Sequence, residues 1–260
     1  MTTKLKKINF NLKNKNIIIT GGSGFLGAQL INSFLSQKSI VYNIDIIAPK
    51  RKNKSIFIKS DITNENSLNK VLNFFKKKKV KIDVLINNAS NNYYPMNKKK
   101  SDLNLEQFSD EVWEKDLAVG LKGSYLCTKI FGTYMSKNKK GVILNVSSDL
   151  GVIAPNQKLY KGLNFKKPVT YSVVKHGLIG LTKYTASYWG SKNIRCNAIA
   201  PGGIYNNQNI SFIKKIKELI PLGRMAKVDE YNGLVLFLCS DLSSYITGST
   251  IIADGGRSII

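Results

Sequence analysis

The chain has 260 residues, 43% of them hydrophobic and 10% aromatic, so it can bury a substantial core without disulfides or a metal. Its formal net charge of +24 excludes little by itself, because the excess is nearly all lysine and arginine occurs only at Arg51, Arg195, Arg224 and Arg257. Dedicated nucleic-acid readers favour Arg forks, and the runs Lys76 to Lys79 and Lys98 to Lys100 carry no interleaved aromatics. No nucleic acid is therefore expected as a partner, and the charge reads as a solvated surface that attracts small anions.

The elements alternate in type along the chain. Ile17 to Thr20 reads as a buried strand, followed by a glycine turn and a helix over Ala28 to Gln37. Strands are expected at Ile40 to Ile46, Ile56 to Ile58 and Val84 to Ile86, with a helix over Ser67 to Lys78 placing Leu68, Val71, Leu72 and Phe75 on one face. A long helix is expected over Leu117 to Ser136, a strand at Val142 to Val146, and a second long helix over Tyr171 to Tyr188. Strand Ile194 to Ile199, helix Tyr231 to Leu238 and strand Thr250 to Ala253 complete the pattern. Such alternation predicts βαβ units and a doubly wound α/β fold of about seven parallel strands, with helices on both faces. No linker or repeat interrupts it, so residues 1–260 read as one domain. Loops are expected over Asn91 to Leu103 and Gly151 to Thr170. Cys127, Cys196 and Cys239 are far apart and form no CxxC pair, which predicts buried thiols, no metal site and a reducing compartment. The N-terminus is basic but has no apolar stretch of the secretory kind, and no apolar run reaches the ~20 residues that span a bilayer. Cytoplasm is the expected location, with no membrane association.

Thr20-Gly21-Gly22-Ser23-Gly24-Phe25-Leu26-Gly27 joins the first strand to the first helix, with Gly21, Gly24 and Gly27 at GxxGxxG spacing. Glycines there permit a tight turn and let backbone N–H groups approach a pyrophosphate at the helix N-terminus. Ser23, Phe25 and Leu26 belong to the same expected cofactor turn. Asp45 ends the second strand, 18 residues beyond Gly27. A carboxylate there accepts hydrogen bonds from the adenosine ribose hydroxyls and repels a 2′-phosphate, which predicts NAD in preference to NADP. The nearby Lys50, Arg51 and Lys52 act in the opposite sense.

Tyr171-Ser172-Val173-Val174-Lys175 places a phenol and an ammonium one helical turn apart. The cation favours the phenolate, which makes the tyrosine able to exchange a proton nearer neutrality. In a lysine-rich chain this pair is weak evidence alone, but other segments accompany it. Gly141 to Ser148 runs out of a strand, Asn87-Asn88-Ala89-Ser90 ends the fourth strand, Asn197 to Gly202 ends the sixth, and Asp254-Gly255-Gly256 lies near the C-terminus.

With these segments in this order, the chain resembles the short-chain dehydrogenase/reductase family over nearly its whole length. The resemblance implies that Tyr171 is the general acid/base, that Lys175 binds the nicotinamide ribose and lowers the tyrosine pKa, and that Ser148 orients the substrate carbonyl. It also implies that Asp61 and Ile62 contact adenine, that Asn87, Asn88 and Ala89 line the cofactor, and that Pro201, Gly202 and Ile204 flank the nicotinamide. The implied reaction is hydride transfer between NAD and an alcohol or ketone, by a homodimer or homotetramer formed through the two long helices.

Three features depart from the family pattern. The glycine spacing resembles that of its extended branch, while the length resembles the compact branch. Gly120 stands where the family often has an asparagine, and Ser148 and Tyr171 are 23 residues apart, wider than usual. The extra residues are expected to form a loop over the site that selects a polar substrate through Asn156, Gln157, Lys158 and their neighbours. Together with Pro168 to Ser172, Tyr188 to Gly190 and Pro201 to Asn206, the departures resemble oxidoreductases of bacterial surface-glycan, flagellin-modification and nonulosonic-acid pathways. A polar, sugar-like substrate is thus the leading expectation. The alternatives are a 3-oxoacyl-[acyl-carrier-protein] reductase and a catalytically quiet nucleotide-binding regulator. His176, Trp113 and Trp189 read as structural, and Leu178, Leu181, Thr182 and Thr185 as either a core face or a subunit contact.

Overall fold

A computed structural model describes residues 9–91, 103–163 and 165–260. Seven strands form one parallel sheet: β1 (Asn16–Thr20), β2 (Ile40–Asp45), β3 (Ile56–Lys59), β4 (Val84–Asn87), β5 (Gly141–Val146), β6 (Ile194–Pro201) and β7 (Thr250–Ala253). Their spatial order is β3-β2-β1-β4-β5-β6-β7. The chain moves outward from β1 to β3, then returns to pair β4 against the other side of β1, with Ile18 level with both Tyr42 and Leu85. This reversal opens a crevice beyond the carboxyl ends of the strands, where open α/β sheets bind ligands.

The central strands are continuous apolar runs because both faces of the sheet are covered. On one face Ile18, Leu85, Ile143 and Cys196 pack against Phe75, Phe131 and Trp189. These come from α2 (Glu65–Lys77), α3 (110–137) and α4 (Val169–Trp189). On the other face Ile17, Ile19, Ile86 and Leu144 pack against Phe34 and Leu238, from α1 (Phe25–Ser36) and α6 (Asn232–Cys239). Asn64 caps α2 by accepting from the Ser67 amide at 2.9 Å. The three cysteines are buried free thiols. Among the described residues no helix is long and apolar enough to cross a membrane.

The structure extends several expected elements. Helix α3 begins seven residues before Leu117, at Asp110, because Asp110 and Glu111 suit the positive end of a helix even though that first turn carries no apolar stripe. Two wide turns, Ala118–Lys122 and Thr128–Gly132, interrupt its regular winding. Leu178, Thr182 and Thr185 prove to be the core face of α4. The segment expected as one loop over Gly151 to Thr170 contains a helical turn at Gln157–Tyr160. An unexpected helix, α5 (Ile210–Lys217), packs against it, capped by Asn209, which accepts from the Ser211 amide at 2.8 Å. Leu159, Tyr160 and Leu163 join Phe212, Ile216, Ile220 and Met225 in a separate apolar cluster. Most of the other expected loop, residues 92–102 of Asn91 to Leu103, lies outside the described residues.

Candidate active site

One cavity of about 670 Å³ runs along the carboxyl edge of the sheet, within the size range of small-molecule and cofactor sites. Gly21, Ser23, Gly24, Phe25, Leu26, Gly27, Asp45, Asp61, Ile62, Asn88 and Ala89 line one end, and Ser148, Tyr171, Lys175, Pro201, Gly202 and Ile204 the other. Every residue expected to be catalytic or cofactor-binding is therefore on one surface, except Asn87. The Asn87 amide instead donates to Asn145 Oδ1 at 2.8 Å and Thr128 Oγ1 at 3.0 Å, inside the protein.

The turn after β1 depends on its glycines for two reasons. Gly21 has φ of +65°, and a Cβ at Gly27 would lie 2.2 Å from the Gly21 carbonyl oxygen, so no side chain fits there. Gly24 differs, since a Cβ there would meet only the Gly21 carbonyl oxygen, at 3.3 Å. Its lack of a side chain leaves room for a ligand above the turn. The Asn88 amide braces the turn by donating to the carbonyls of Thr20 (3.0 Å) and Gly21 (3.1 Å). Thr20 Oγ1 accepts from the amides of Asn88 and Ala89 at 3.1 and 3.2 Å, tying β1 to β4 at the switch point.

Asp45 is held by two backbone donors, Ser23 N at 3.0 Å and Ile47 N at 3.1 Å. Its position on the cavity wall at the end of β2 suits a ribose diol. Asp61 is fixed by the amide and hydroxyl of Thr63, each at 2.8 Å, and Ile62 beside it is buried. The glycine cradle, the acidic residue on β2 and the Asp61–Ile62 pair together fit an adenine dinucleotide.

At the other end, Tyr171 and Lys175 project from the first two turns of α4, and the Lys175 Nζ lies 5.5 Å from the Tyr171 ring centroid. Lys175 is buried and donates to the Val146 carbonyl at 2.8 Å. Burial raises the Tyr171 pKa, but Lys167, then Lys175, then a hydrogen bond with Ser148 outweigh it, and the phenol ends below its ordinary value. Lys175 is also lowered, first by burial, then by Lys167, against the opposing pull of Tyr171. A phenol in this state exchanges protons closer to neutrality than a free one. Ser147, next to Ser148 in the chain, donates to the Lys175 carbonyl at 2.8 Å and so braces α4 against β5.

Three features were not evident from sequence. Ser148 Oγ donates to Asp149 Oδ1 at 2.7 Å, and Arg257 Nη1 donates to Asp149 Oδ2 at 2.6 Å; both charged residues are buried on the cavity wall. An acidic residue directly after Ser148 and a basic one directly after Asp254-Gly255-Gly256 were the available signals. Second, a Cβ at Gly120 would lie 2.5 Å from Val174 Cγ1. The space next to this glycine is filled by valine, and the Gly120 carbonyl accepts from Ser124 Oγ at 2.9 Å. Third, the inserted loop turns mainly apolar side chains to the cavity, with most of its expected polar ones outside. Gln157, Lys158 and Lys161 are exposed, while Leu159, Tyr160 and Phe165 line the cavity with Phe212, Ile216 and Met225. Lys167 is the loop cation that reaches the cavity, its Nζ 4.2 Å from the Tyr171 ring centroid. His176 is exposed and bonds the Ser172 carbonyl at 3.0 Å. Among the described residues no group of His, Cys, Asp or Glu is arranged to hold a metal ion.

Residues 26–258 match a family model described as enoyl-(acyl carrier protein) reductase. Post-translational flagellin modification protein A of Campylobacter coli is 30% identical over 94% of this chain and 98% of its own length. An NAD-dependent glycerol dehydrogenase of Listeria innocua is 31% identical, with both chains covered in full. Among solved structures, a short-chain dehydrogenase of Leptospira borgpetersenii with bound NAD+ superposes with a TM-score of 0.88 at 31% identity, over 99% of both chains.

Proposed function

The chain belongs to the short-chain dehydrogenase/reductase family, and from that premise we propose that it is an NAD-linked dehydrogenase or reductase of a polar, sugar-like alcohol or ketone, with Tyr171 as general acid/base. The family chemistry is NAD(P)-dependent oxidoreduction at an alcohol carbon. The observation that carries the catalytic reading is the meeting of Tyr171, Ser148 and Lys175 in the same cavity as the glycine turn and Asp45, and the likeness to a glycerol dehydrogenase supports a polar substrate. Asp45 favours NAD over NADP by charge. We read residues 1–260 as one catalytic domain.

In this reading Gly21 to Gly27 would hold the dinucleotide's pyrophosphate, Asp45 its adenosine ribose, Asp61 and Ile62 its adenine, and Pro201, Gly202 and Ile204 its nicotinamide. The bound nicotinamide would supply the hydride acceptor for oxidation and the hydride donor for reduction. Ser148 holds the substrate oxygen, and to do so its hydroxyl turns from Asp149 toward that oxygen. Tyr171 takes the hydroxyl proton as the carbinol becomes a carbonyl, and gives it back in the reverse direction. Lys175 stabilises the phenolate and has donors left for the nicotinamide ribose. The Arg257–Asp149 pair fixes the strand end on which Ser148 sits.

A homo-oligomer of cytoplasmic location completes the proposal. Tyr184 and Tyr188 stack at 5.8 Å on the outer face of α4, 68% and 62% exposed, which suits burial against a second copy. A 3-oxoacyl-[acyl-carrier-protein] reductase is the second reading, favoured by the apolar wall of Leu159, Phe165, Phe212 and Met225. Assaying polyols, aldoses, hydroxy acids and a 3-oxoacyl thioester with both cofactors separates the two. The expected result is NAD-linked turnover of a polar substrate that falls by roughly 10²-fold or more in Tyr171→Phe, with NADH binding intact. Unchanged turnover in that variant overturns the role given to Tyr171, and efficient NADPH-linked thioester reduction supports the second reading.

A further inference from the structure

We propose that Lys167 is a specificity residue that receives a carboxylate on the substrate, so that the substrate is a hydroxy acid, or its keto acid, with the carboxylate within a few bonds of the reacting carbon. This rests on the dehydrogenase reading of the cavity and narrows its substrate class. The argument starts from the charges at the catalytic end. Arg257 is matched by Asp149 through a 2.6 Å contact between two buried groups. Lys175 already donates to the Val146 carbonyl, lies against Tyr171, and in the proposed reading gives its remaining donors to the cofactor ribose. Lys167 makes no hydrogen bond or ion pair among the described residues, and its Nζ lies 4.2 Å from the Tyr171 ring centroid.

Beyond its effect on the Tyr171 phenol, nothing in the local fold calls for a cation at this position. Lys167 lies two residues before the first residue of α4, where the helix dipole disfavours positive charge. Its neighbour Lys166 has a partner, Asn104 Oδ1, at 2.5 Å. Lys167 instead lines a cavity whose surrounding wall is apolar, from Leu159, Tyr160, Phe165, Phe212, Ile216 and Met225. In such surroundings a charge is poorly screened, and its attraction for an opposite charge is stronger than at an open surface. Because its Nζ sits over the ring that carries the reacting hydroxyl, the anion it holds must be close to the carbinol. A single ammonium in an otherwise apolar wall suits a carboxylate better than a phosphate, because the carboxylate brings less charge to be desolvated there. The oxidised nicotinamide, itself cationic, adds to the same field.

Malonate, a dicarboxylate without a hydroxyl to oxidise, is the probe, with neutral malonamide as its control. Calorimetric titration of the protein–NADH complex is run on the unmodified chain, Lys167→Met and Lys167→Arg at physiological ionic strength. The unmodified chain is expected to bind malonate and not malonamide. Lys167→Met should weaken malonate binding at least about fivefold, and Lys167→Arg should retain most of it, because the attraction is one of charge. NADH affinity should be equal in all three, which certifies folding. Equal malonate affinity in Lys167→Met, or no selection of malonate over malonamide in the unmodified chain, overturns the proposal. Malonate binding requires no turnover, so the two readings fail separately. Intact, Lys167-dependent binding without NAD-linked oxidation of any hydroxy acid would defeat the dehydrogenase reading and leave the carboxylate site standing.

Discussion

The two ends of the cavity are built by different means. The dinucleotide end is made from strand termini and tight turns: Gly21 to Gly27 after β1, Asp45 after β2, Asp61 after β3, and Asn88 and Ala89 after β4. Backbone geometry dominates there, and a few side chains serve mainly to lock it, as Thr20 and Asn88 do. The substrate end is walled by segments off the sheet, the Gln157–Tyr160 turn and α5, held together by their own apolar cluster. The first end is an extension of the fold, whereas the second is a separate packing problem attached to it. Substrate choice is thus free to vary without disturbing the dinucleotide end.

The largest expected effect erases that difference. Asp149 and Arg257 lie near the seam and are 3% and 6% exposed. Asp149→Ala leaves a buried guanidinium unpaired and should cost about 3 kcal/mol or more of stability. Thermal unfolding of the variant should move down as a single transition, with both ends lost together; a stability within experimental error of the unmodified chain would show the pair to be dispensable. The next effect is confined to the dinucleotide end. Asp45→Ala removes a negative charge from beside the ribose and should narrow the preference for NADH over NADPH by roughly tenfold. Fluorescence titration with both cofactors measures this, and an unmodified chain that prefers NADPH would refute it. The smallest effect belongs to the substrate end. Phe212→Leu keeps the cluster apolar but changes its shape, at about 1 kcal/mol. The substrate KM should rise a few-fold while NADH affinity is unchanged, and a matching loss of NADH affinity would show that the two ends are not independent.

The same contrast explains what was legible in the sequence. Strand periodicity and the glycine turn place β1 to β7 almost to the residue, because those elements are short, apolar and punctuated by glycine, asparagine and aspartate. The Tyr171–Lys175 pair was legible from helical spacing, whereas Ser148 entered only through the family resemblance. Asn87 and Asn88 were harder, since adjacent residues at a strand end point to opposite sides, one into the Asn145 and Thr128 network and the other to the cavity. Helix α5 was signalled by the Asn209 cap and by Phe212 and Ile216 one turn apart, yet its packing on the 157–163 segment is a long-range event with no local mark. For that reason the loop's inventory of amides and lysines suggested a polar face, while burial turned Leu159, Tyr160 and Phe165 inward. The Asp149–Arg257 pair spans 108 residues, a distance over which no spacing rule operates.

The role given to Tyr171 depends on a phenol whose surroundings favour its ionised form. Burial opposes ionisation, and Lys167 and Lys175 overcome it. The proton-accepting form therefore becomes populated as pH rises through a value below the ordinary ~10 of a free tyrosine, and alcohol oxidation should rise with it. An ultraviolet absorbance titration of phenolate, taken as the difference between the unmodified chain and Tyr171→Phe, isolates this one group among the chain's 12 tyrosines. We predict a single ionisation step clearly below that of free tyrosine, and a step at or above it would contradict the assignment of Tyr171 as the general acid/base.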